Sequence, residues 1–236
     1  MAELPLTFAE LEALRLSVEE RLRSENDSLA LRMRRSISWG LRGDDALERD
    51  DSDSAFIFYW VAFNAAYGEE REERTEELEH QRIERFLQRI VRLDREGSIF
   101  RSLWVAYSGP IRVLLENPYV YGPFWNHYNG RVGYENWRQR FESEQHRVRQ
   151  ALGNEDALTI LAILFNRLYV LRNQLVHGGA TWGGSVNRAQ VRDGVALLGF
   201  LTPQFIALML NNPGEDWGPP YYPLVGDANQ REREHA

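Results

Sequence analysis

The sequence contains neither cysteine nor lysine, and all 28 of its basic residues are arginines. Without cysteine the chain forms no disulfides and no thiolate metal sites. Histidine is scarce too. The five histidines show no paired metal-ligand spacing; they are His80, His127, His146, His177 and His235. We therefore expect no metal and no cofactor. The exclusive use of arginine reflects either genome composition or mechanism, and where arginines cluster they bind phosphate better than lysines, because a planar guanidinium matches a phosphate with two hydrogen bonds.

Long apolar runs and an excess of positive charge are lacking as well. No stretch approaches the ~20 uncharged apolar residues that a membrane span needs, and the N-terminal segment has neither the basic nor the apolar region of a signal peptide. We expect a cytoplasmic protein with no membrane association. The net charge of −7 argues against binding nucleic acid through a broadly basic surface, although it leaves local contacts open.

Strand-like alternation is absent, and apolar residues recur at helical spacing. We predict an all-α fold with a central up-and-down bundle, whose helices cover residues 28–41, 55–67, 154–177 and 187–210. An N-terminal helix within residues 1–27 ends at a polar break at residues 24–28. The helical domain spans residues 28–225, with a charged helical insertion at about residues 69–152. Residues 226–236 are expected to form a flexible tail.

Capping residues and helix breakers predict where the helices begin and end. Thr7 and Glu10 form a T-x-x-E capping box, which indicates a helix start. Residues 40–54 are acidic and contain glycines, so we expect an exposed loop there. We expect Asn154 to cap the helix that follows it, and Pro203 to kink or interrupt the last helix.

Two aromatic-rich segments lie outside the bundle helices. In residues 117–133, which we expect to be mostly loop, the aromatic side chains either stack nucleic-acid bases or form the local core of a folded-back loop. Beyond residue 211 the chain is rich in proline, glycine and aromatics. We expect Trp217 and Tyr221 to hold this segment against the body of the protein.

Residues 168–179 form an apolar helix that carries Arg172, Asn173 and His177 near its end and stops at paired glycines. One helical face is a leucine stripe, made of Leu161, Leu164, Leu168, Leu171 and Leu175. A second face, nearly opposite, is polar and carries Asn166, Val170, Asn173 and His177. Apolar neighbours on that side predict an exposed flank and hence an interface between two chains, namely Ala162, Ile163 and Val170.

His177 and Arg172 have the chemistry of a phosphodiester-cleaving pair. His177 precedes Gly178 and Gly179, one of which we expect in the left-handed conformation that ends a helix. The helix dipole there favours an imidazolium, and an unperturbed pKa of about 6.5 suits proton transfer near neutrality. Arg172 can hold a phosphate beside it. Alternatively, both residues only cap and solvate a helix end.

The segment from Arg172 to His177, RNQLVH, resembles the R-x(4–6)-H signature of the HEPN superfamily. Residues 55–68 are similar to the family's earlier core helix with its F-N-A-x-Y-G run, and residues 212–223 are similar to the ending of an ApeA-like HEPN branch. The resemblance covers most of residues 28–225. It implies a HEPN-like up-and-down helical bundle with additional peripheral helices.

The resemblance also implies a metal-independent endoribonuclease of toxin or phage-defence type, whose active site joins the motifs of two chains in a homodimer. In that role His177 removes the proton of a ribose 2′-OH, Arg172 stabilises charge on the phosphate, and Asn173 positions His177 or the phosphate by hydrogen bonding. RNA is then the substrate, with an antitoxin or a defence partner protein as a further partner. Gly179 stands where some family toxins carry a tyrosine silenced by nucleotidylation, so this form of control is not expected.

Other residues are weaker candidates for contacts with the substrate. Asn166 shares the polar face of the motif helix, and a glycine-rich turn can place Trp182 beside the motif. Arg32 and Arg35 either contact phosphate or belong to a solvated face. Asn64, in an otherwise apolar helix, either orients neighbouring backbone or serves the site.

Two other functions stay open. A non-catalytic HEPN-like module that binds RNA, a nucleotide or a protein keeps the bundle without the activity, and the acidic net charge favours it. A structural homodimer in which Arg172 and His177 only cap and pair is the other alternative. The presence of both residues favours the enzyme.

Overall fold

The computed structural model describes residues 7–70, 79–106, 108–185 and 187–223. Within these ranges the segments whose apolar residues recur at helical spacing form helices. In chain order the helices are α1 (Phe8–Glu48), α2 (Ser52–Tyr67), α3 (Glu79–Leu93), α4 (Ser98–Ala106), α5 (Ser108–Glu116), α6 (Gly122–Tyr128), α7 (Trp137–Gly153), α8 (Ala157–Val176) and α9 (Arg188–Asn211), and a 3₁₀ turn (Pro118–Val120) precedes α6. These residues contain no β-strand, and one isolated bridge joins Glu69 to Pro220. The all-α prediction is confirmed.

The first helix, α1, begins and bends where the sequence predicted. The Thr7 hydroxyl accepts a hydrogen bond from the Glu10 N–H, and the Glu10 carboxylate accepts one from the Thr7 N–H, so the capping box is confirmed. The polar break predicted at residues 24–28 is a kink, where Asn26 leaves the helical conformation (φ −158°, ψ 83°). Its Oδ1 accepts a hydrogen bond from the Leu29 N–H and restarts the helix.

The exposed loop predicted for residues 40–54 is wrong, because α1 continues through most of this range. Gly40 and Gly43 lie on the buried face of the helix. A Cβ atom on Gly40 would lie 2.1 Å from the Phe8 ring, and one on Gly43 would lie 2.3 Å from the Tyr59 ring. Here glycine lets aromatic rings approach a helix backbone closely, instead of breaking the helix.

The core is formed mainly by α1, α2, α8 and α9, and α2 and α9 each contact the other three. The Phe63 ring of α2 packs against Phe165 of α8 at 4.5 Å and against Phe205 of α9 at 6.3 Å between ring centroids. Phe8 and Leu11 of the N-terminal segment belong to the same core. Helices α3, α5 and α7 pack around these four helices, against α8 and α9.

The predicted charged insertion comprises α3 to α7, which lie within residues 79–153, while residues 71–78 are outside the described ranges. The segment 117–133 is less loop-rich than predicted, because it contains the 3₁₀ turn and α6. Pro118 and Pro123 lie in the first turn of these two short helices. Proline is tolerated there because the missing N–H has no partner within the helix.

The interruption predicted at Pro203 does not occur, and α9 passes through it. An internal proline costs about 3 kcal/mol, but residues 201–210 are all buried, and burial of this apolar segment outweighs that cost. The expectation that no stretch approaches a membrane span is wrong, because α9 is long and apolar enough, by length and composition, to cross a membrane. However, 78% of its most apolar window is buried inside the protein, as in a core helix.

The C-terminal segment is held against the body of the protein, as predicted. Trp217 is buried, and the guanidinium carbon of Arg89 lies 5.5 Å from its ring centroid. Arg82 lies 5.1 Å from the centroid of the Tyr221 ring and donates a hydrogen bond to the Tyr221 hydroxyl at 2.7 Å. The predicted flexible tail, residues 226–236, lies outside the described residues.

Candidate functional site

The helix that carries the motif, α8, is positioned by its cap and its leucine stripe. Asp156 caps it, since its Oδ1 accepts a hydrogen bond from the Thr159 N–H at 3.0 Å. The predicted cap, Asn154, instead ends α7, because the chain turns through left-handed Glu155 (φ 57°) before α8 begins. Four of the five stripe leucines are fully buried, and Leu175 is half-buried. The predicted stripe is confirmed.

The end of α8 lies at the histidine of the motif. The His177 N–H donates to the Asn173 carbonyl at 3.0 Å, and the Gly179 N–H donates to the Gln174 carbonyl at 2.7 Å. Gly178 has a φ of 70°, which confirms the predicted left-handed glycine. The side chain of His177 is exposed at the C-terminal end of the helix.

Arg172 is half-buried and points back along α8. Its Nη1 donates to Asn173 Oδ1 at 2.9 Å, and its guanidinium carbon lies 5.9 Å from the centroid of the Tyr169 ring. Its Nε is buried and has no hydrogen-bond partner in the described structure. His177 lies five positions after Arg172, which corresponds to about 140° around the axis and ~7.5 Å along it. Within one chain the two side chains therefore diverge, and Asn173 lies between them.

A polar cluster of Tyr67, Glu79 and Tyr169 lies beside Arg172. Tyr67 donates its hydroxyl to Glu79 Oε1 at 2.9 Å, and Tyr169 donates to Glu79 Oε2 at 3.3 Å. Burial, followed by the negative charge of Glu79, raises the pKa of both tyrosines, while the positive charge of Arg172 opposes this shift. Both tyrosines therefore stay protonated donors at neutral pH, and they hold a carboxylate close to the motif arginine.

Sequence reasoning missed this cluster. Glu79 lies in α3, 90 residues before Tyr169, and its charge matches the many solvated charges around it in the sequence. The one available signal was Tyr169 itself, which stands three residues before Arg172 and so shares its side of the helix.

A cavity of about 340 Å³ adjoins the cluster and is lined by Asn64, Tyr67, Gly68, Glu79, Arg82 and Tyr221. The Oδ1 of Asn64 is buried and accepts no hydrogen bond in the described structure. Of the two roles that the sequence left open for Asn64, this oxygen does not serve the first, since it accepts no bond from neighbouring backbone. Arg82 bounds the cavity and is fixed by its bonds to the Tyr221 hydroxyl and, at 2.9 Å, to the Glu69 carbonyl.

The glycine-rich turn after the motif docks on the beginning of α2. Trp182 is 74% exposed, and its indole N–H donates to Asp51 Oδ1 at 3.2 Å. The buried carboxylate of Asp53 accepts hydrogen bonds from the Gly183 N–H at 2.8 Å and from Arg188 at 2.9 Å. The position of Trp182 is thus set by α2, with most of the indole free to meet a ligand.

Arg32 and Arg35 hold the C-terminal segment in place. Arg32 is buried, and four of its five N–H groups donate to backbone carbonyls, those of Ala66, Gly68, Trp217 and Gly218. Burial lowers the pKa of Arg32 to about 10. Arg35 donates to the carbonyls of Tyr221 and Tyr222. We expected phosphate or solvent as their partners; the structure supplies backbone, and it leaves Arg32 out of reach of a substrate.

The exposed apolar flank predicted on α8 is wrong, because most of it is covered within the chain. Ile163 is only 3% exposed, and Ala162 and Val170 are half-buried. The start of α6 covers this side, since a Cβ atom on Gly122 would lie 3.8 Å from Val170. Asn166 remains exposed on the same side of the helix.

Metal ligands do not cluster in the described ranges, where no three histidine, aspartate or glutamate side chains could hold an ion together. Comparison with known proteins finds that no protein-family model, no curated protein and no solved structure matches the chain.

Proposed function

We propose that this chain is a metal-independent endoribonuclease of toxin or phage-defence type, with Arg172, Asn173 and His177 as its catalytic residues. The observation that carries this proposal is that Asn173 connects both other residues at one helix end. Its side chain accepts a hydrogen bond from Arg172, and its backbone carbonyl accepts one from the His177 N–H. The exposed imidazole is accessible to a large substrate. The resemblance of residues 172–177 to the HEPN signature supports the same assignment.

RNA supplies its own nucleophile, so the protein has to supply a base and a cation. His177 removes the proton of a ribose 2′-OH, and the oxygen attacks the adjacent phosphorus. The bond to the 5′-oxygen breaks, and that oxygen takes a proton from an imidazolium. Arg172 stabilises the charge that develops on the phosphate. The products are a 2′,3′-cyclic phosphate and a 5′-hydroxyl.

The divergence of Arg172 and His177 within one chain supports a site shared by two chains. A homodimer that places Arg172 of one chain beside His177 of the other unites phosphate binding with proton transfer. Exposed Val176 supplies apolar surface next to His177, in place of the covered flank. As a toxin-type enzyme the dimer would act with an antitoxin or a defence partner protein.

A non-catalytic HEPN-like module that binds RNA, a nucleotide or a protein is the second candidate. The net charge of −7 favours it, and so does the cavity beside Asn64 and Glu79, whose volume lies in the range of small-ligand sites. A purified chain that binds an oligonucleotide or nucleotide without cutting RNA would favour this candidate over the enzyme.

Cleavage is expected to continue in excess EDTA, because the proposed mechanism uses a base and an arginine in place of a metal-bound water. The measurement is a cleavage gel with end analysis of the products. The fragments should carry a 2′,3′-cyclic phosphate, and RNA with a 2′-deoxy substitution at the cleaved position should resist. Activity that disappears in EDTA and returns with magnesium or manganese would contradict the mechanism.

Specific activity is expected to fall on dilution, because two chains complete one site. Sedimentation should give a dimer at high protein concentration. Cleavage per chain should fall when the protein concentration is below the dissociation constant of the dimer. Mixing an Arg172→Ala chain with a His177→Ala chain should restore part of the activity, since a mixed dimer keeps one intact pair. A monomer with constant activity per chain would contradict the shared site while leaving the nuclease assignment open.

A further inference from the structure

The surface between α5 and α7 differs in composition from the rest of the chain. Residues 117–141 contain eight aromatic residues and three arginines but one acidic residue, whereas the whole chain has 28 basic and 35 acidic residues. Basic and aromatic side chains that alternate in this way are typical of surfaces that bind single-stranded nucleic acid. This segment is therefore a favourable place for a polyanion on an acidic protein.

The aromatic rings divide into an inner and an outer set. Phe124 is the centre of the inner set, with its ring centroid 5.1 Å from those of both Trp125 and Trp137. These three rings pack on one another but are only half-buried, and no residue of α6 is fully buried, so the expected local core is present in part. Tyr119 and Tyr128 contact Phe124 from outside and are 51% and 73% exposed. Contacts with Phe124 orient the rings of Tyr119 and Tyr128, so the exposed face of each ring is available to stack on a ligand.

The arginines of this segment are exposed and contact neutral groups in the described part of the chain. Arg131 donates to Asn126 Oδ1 at 2.9 Å, and Arg138 lies 5.3 Å from the centroid of the Trp137 ring. Arg140 donates to the Gly133 carbonyl. Their charge therefore stays available for phosphates that follow the stacked bases.

The same segment is attached to the end of α8. Gln174 Nε2 donates to the Tyr119 carbonyl at 2.7 Å, and Gln174 lies one helical turn before His177. A strand bound across Tyr128 and Tyr119 therefore leads toward the imidazole.

We propose that Tyr119, Tyr128, Arg131 and Arg138 form an aromatic platform that binds unpaired bases of single-stranded RNA next to His177. This inference rests on the proposed nuclease function and names the substrate as unpaired RNA. Stacking on a side chain needs a base with a free face, which the interior of a duplex does not offer. The platform therefore selects single strands, loops or ends over duplex RNA.

The test is a binding measurement on the full-length His177→Ala protein, so that the RNA stays intact. Fluorescence anisotropy with labelled 12-nucleotide oligouridine, oligoadenosine and a duplex of equal length should show preference for the single strands. Tyr128→Ala should weaken single-strand binding by about 5- to 100-fold, the loss that corresponds to one stacked base. Tyr128→Phe should keep most of the affinity, because the stacking ring remains.

Matched controls separate the platform from general effects. Tyr222→Ala removes an equally exposed tyrosine from the C-terminal segment and should leave binding unchanged. Arg138→Gln should reduce the slope of log affinity against log salt by about one. Arg42→Gln removes the same charge from α1, where Arg42 pairs with Asp45, and should leave the slope unchanged.

The outcomes distinguish this inference from the proposed function. Equal affinity for duplex and single strand, no RNA binding, or unchanged binding by Tyr128→Ala overturns the platform, even where the wild-type chain still cleaves RNA. If binding depends on Tyr128 and the wild-type chain does not cleave RNA, the platform is supported and the proposed nuclease function is overturned.

Discussion

Replacing His177 with Ala is expected to lower the rate of RNA cleavage by at least about 10²- to 10⁴-fold, the contribution typical of one positioned acid or base. The fold should survive, because the side chain is exposed and the helix end is made by backbone bonds of residues 177–179 and by left-handed Gly178. We expect the free energy of unfolding to change by less than about 0.5 kcal/mol, as for other surface substitutions.

A cleavage gel and a circular-dichroism melt on the same preparations measure both quantities. His146→Ala is the matched control, since His146 is an exposed histidine on α7 and should retain wild-type activity and stability. A His177→Ala variant that cleaves at the wild-type rate shows that His177 is neither the acid nor the base. A variant that loses its helical spectrum would mean that the loss of activity reflects unfolding.

Replacing Arg32 with Met is expected to lower the free energy of unfolding by about 3–5 kcal/mol, because the carbonyls that it binds lose their hydrogen-bond donors. Methionine has a similar length but no donor. Four backbone carbonyls of residues 66–68 and 217–218 would lose their bonds to Arg32, and each buried acceptor left unsatisfied costs about 1–3 kcal/mol. The C-terminal segment should then detach more often from the body.

Chemical denaturation measures the stability, and limited proteolysis within residues 212–223 measures the detachment. Arg42→Met is the control, because Arg42 is exposed and pairs only at the surface with Asp45, where such pairs contribute about 0–1 kcal/mol. Arg32→Met at wild-type stability, with the segment still protected, would contradict the structural role of Arg32. That result would return this arginine to the candidates for phosphate contact.

Parts of the site followed from interactions within a few residues of sequence. The leucine stripe on α8 follows from helical spacing, and left-handed Gly178 follows from glycine after the last helical turn. The capping box at Thr7 is equally local. In each case the residue types and their spacing by themselves define the hydrogen bonds or the buried face. The same spacing placed His177 at an exposed helix end.

Other features were decided by contacts between distant segments. Gly40 resembles a loop residue in sequence, but it lies within α1. Its missing side chain leaves the space that the Phe8 ring occupies. Arg32 looks like a surface cation, and it is buried because carbonyls 185 residues away converge on it.

The sequence by itself determined the all-α fold, the capping box at Thr7, the leucine stripe of α8 and the left-handed glycine at its end. The tertiary structure decided which charges are buried, which flank of α8 is covered and that Glu79 lies near Arg172. The physical reason is the range of the interactions in sequence, because helix periodicity and capping act over three or four residues. Burial and the pairing of charges depend on which surfaces the packed helices bring together.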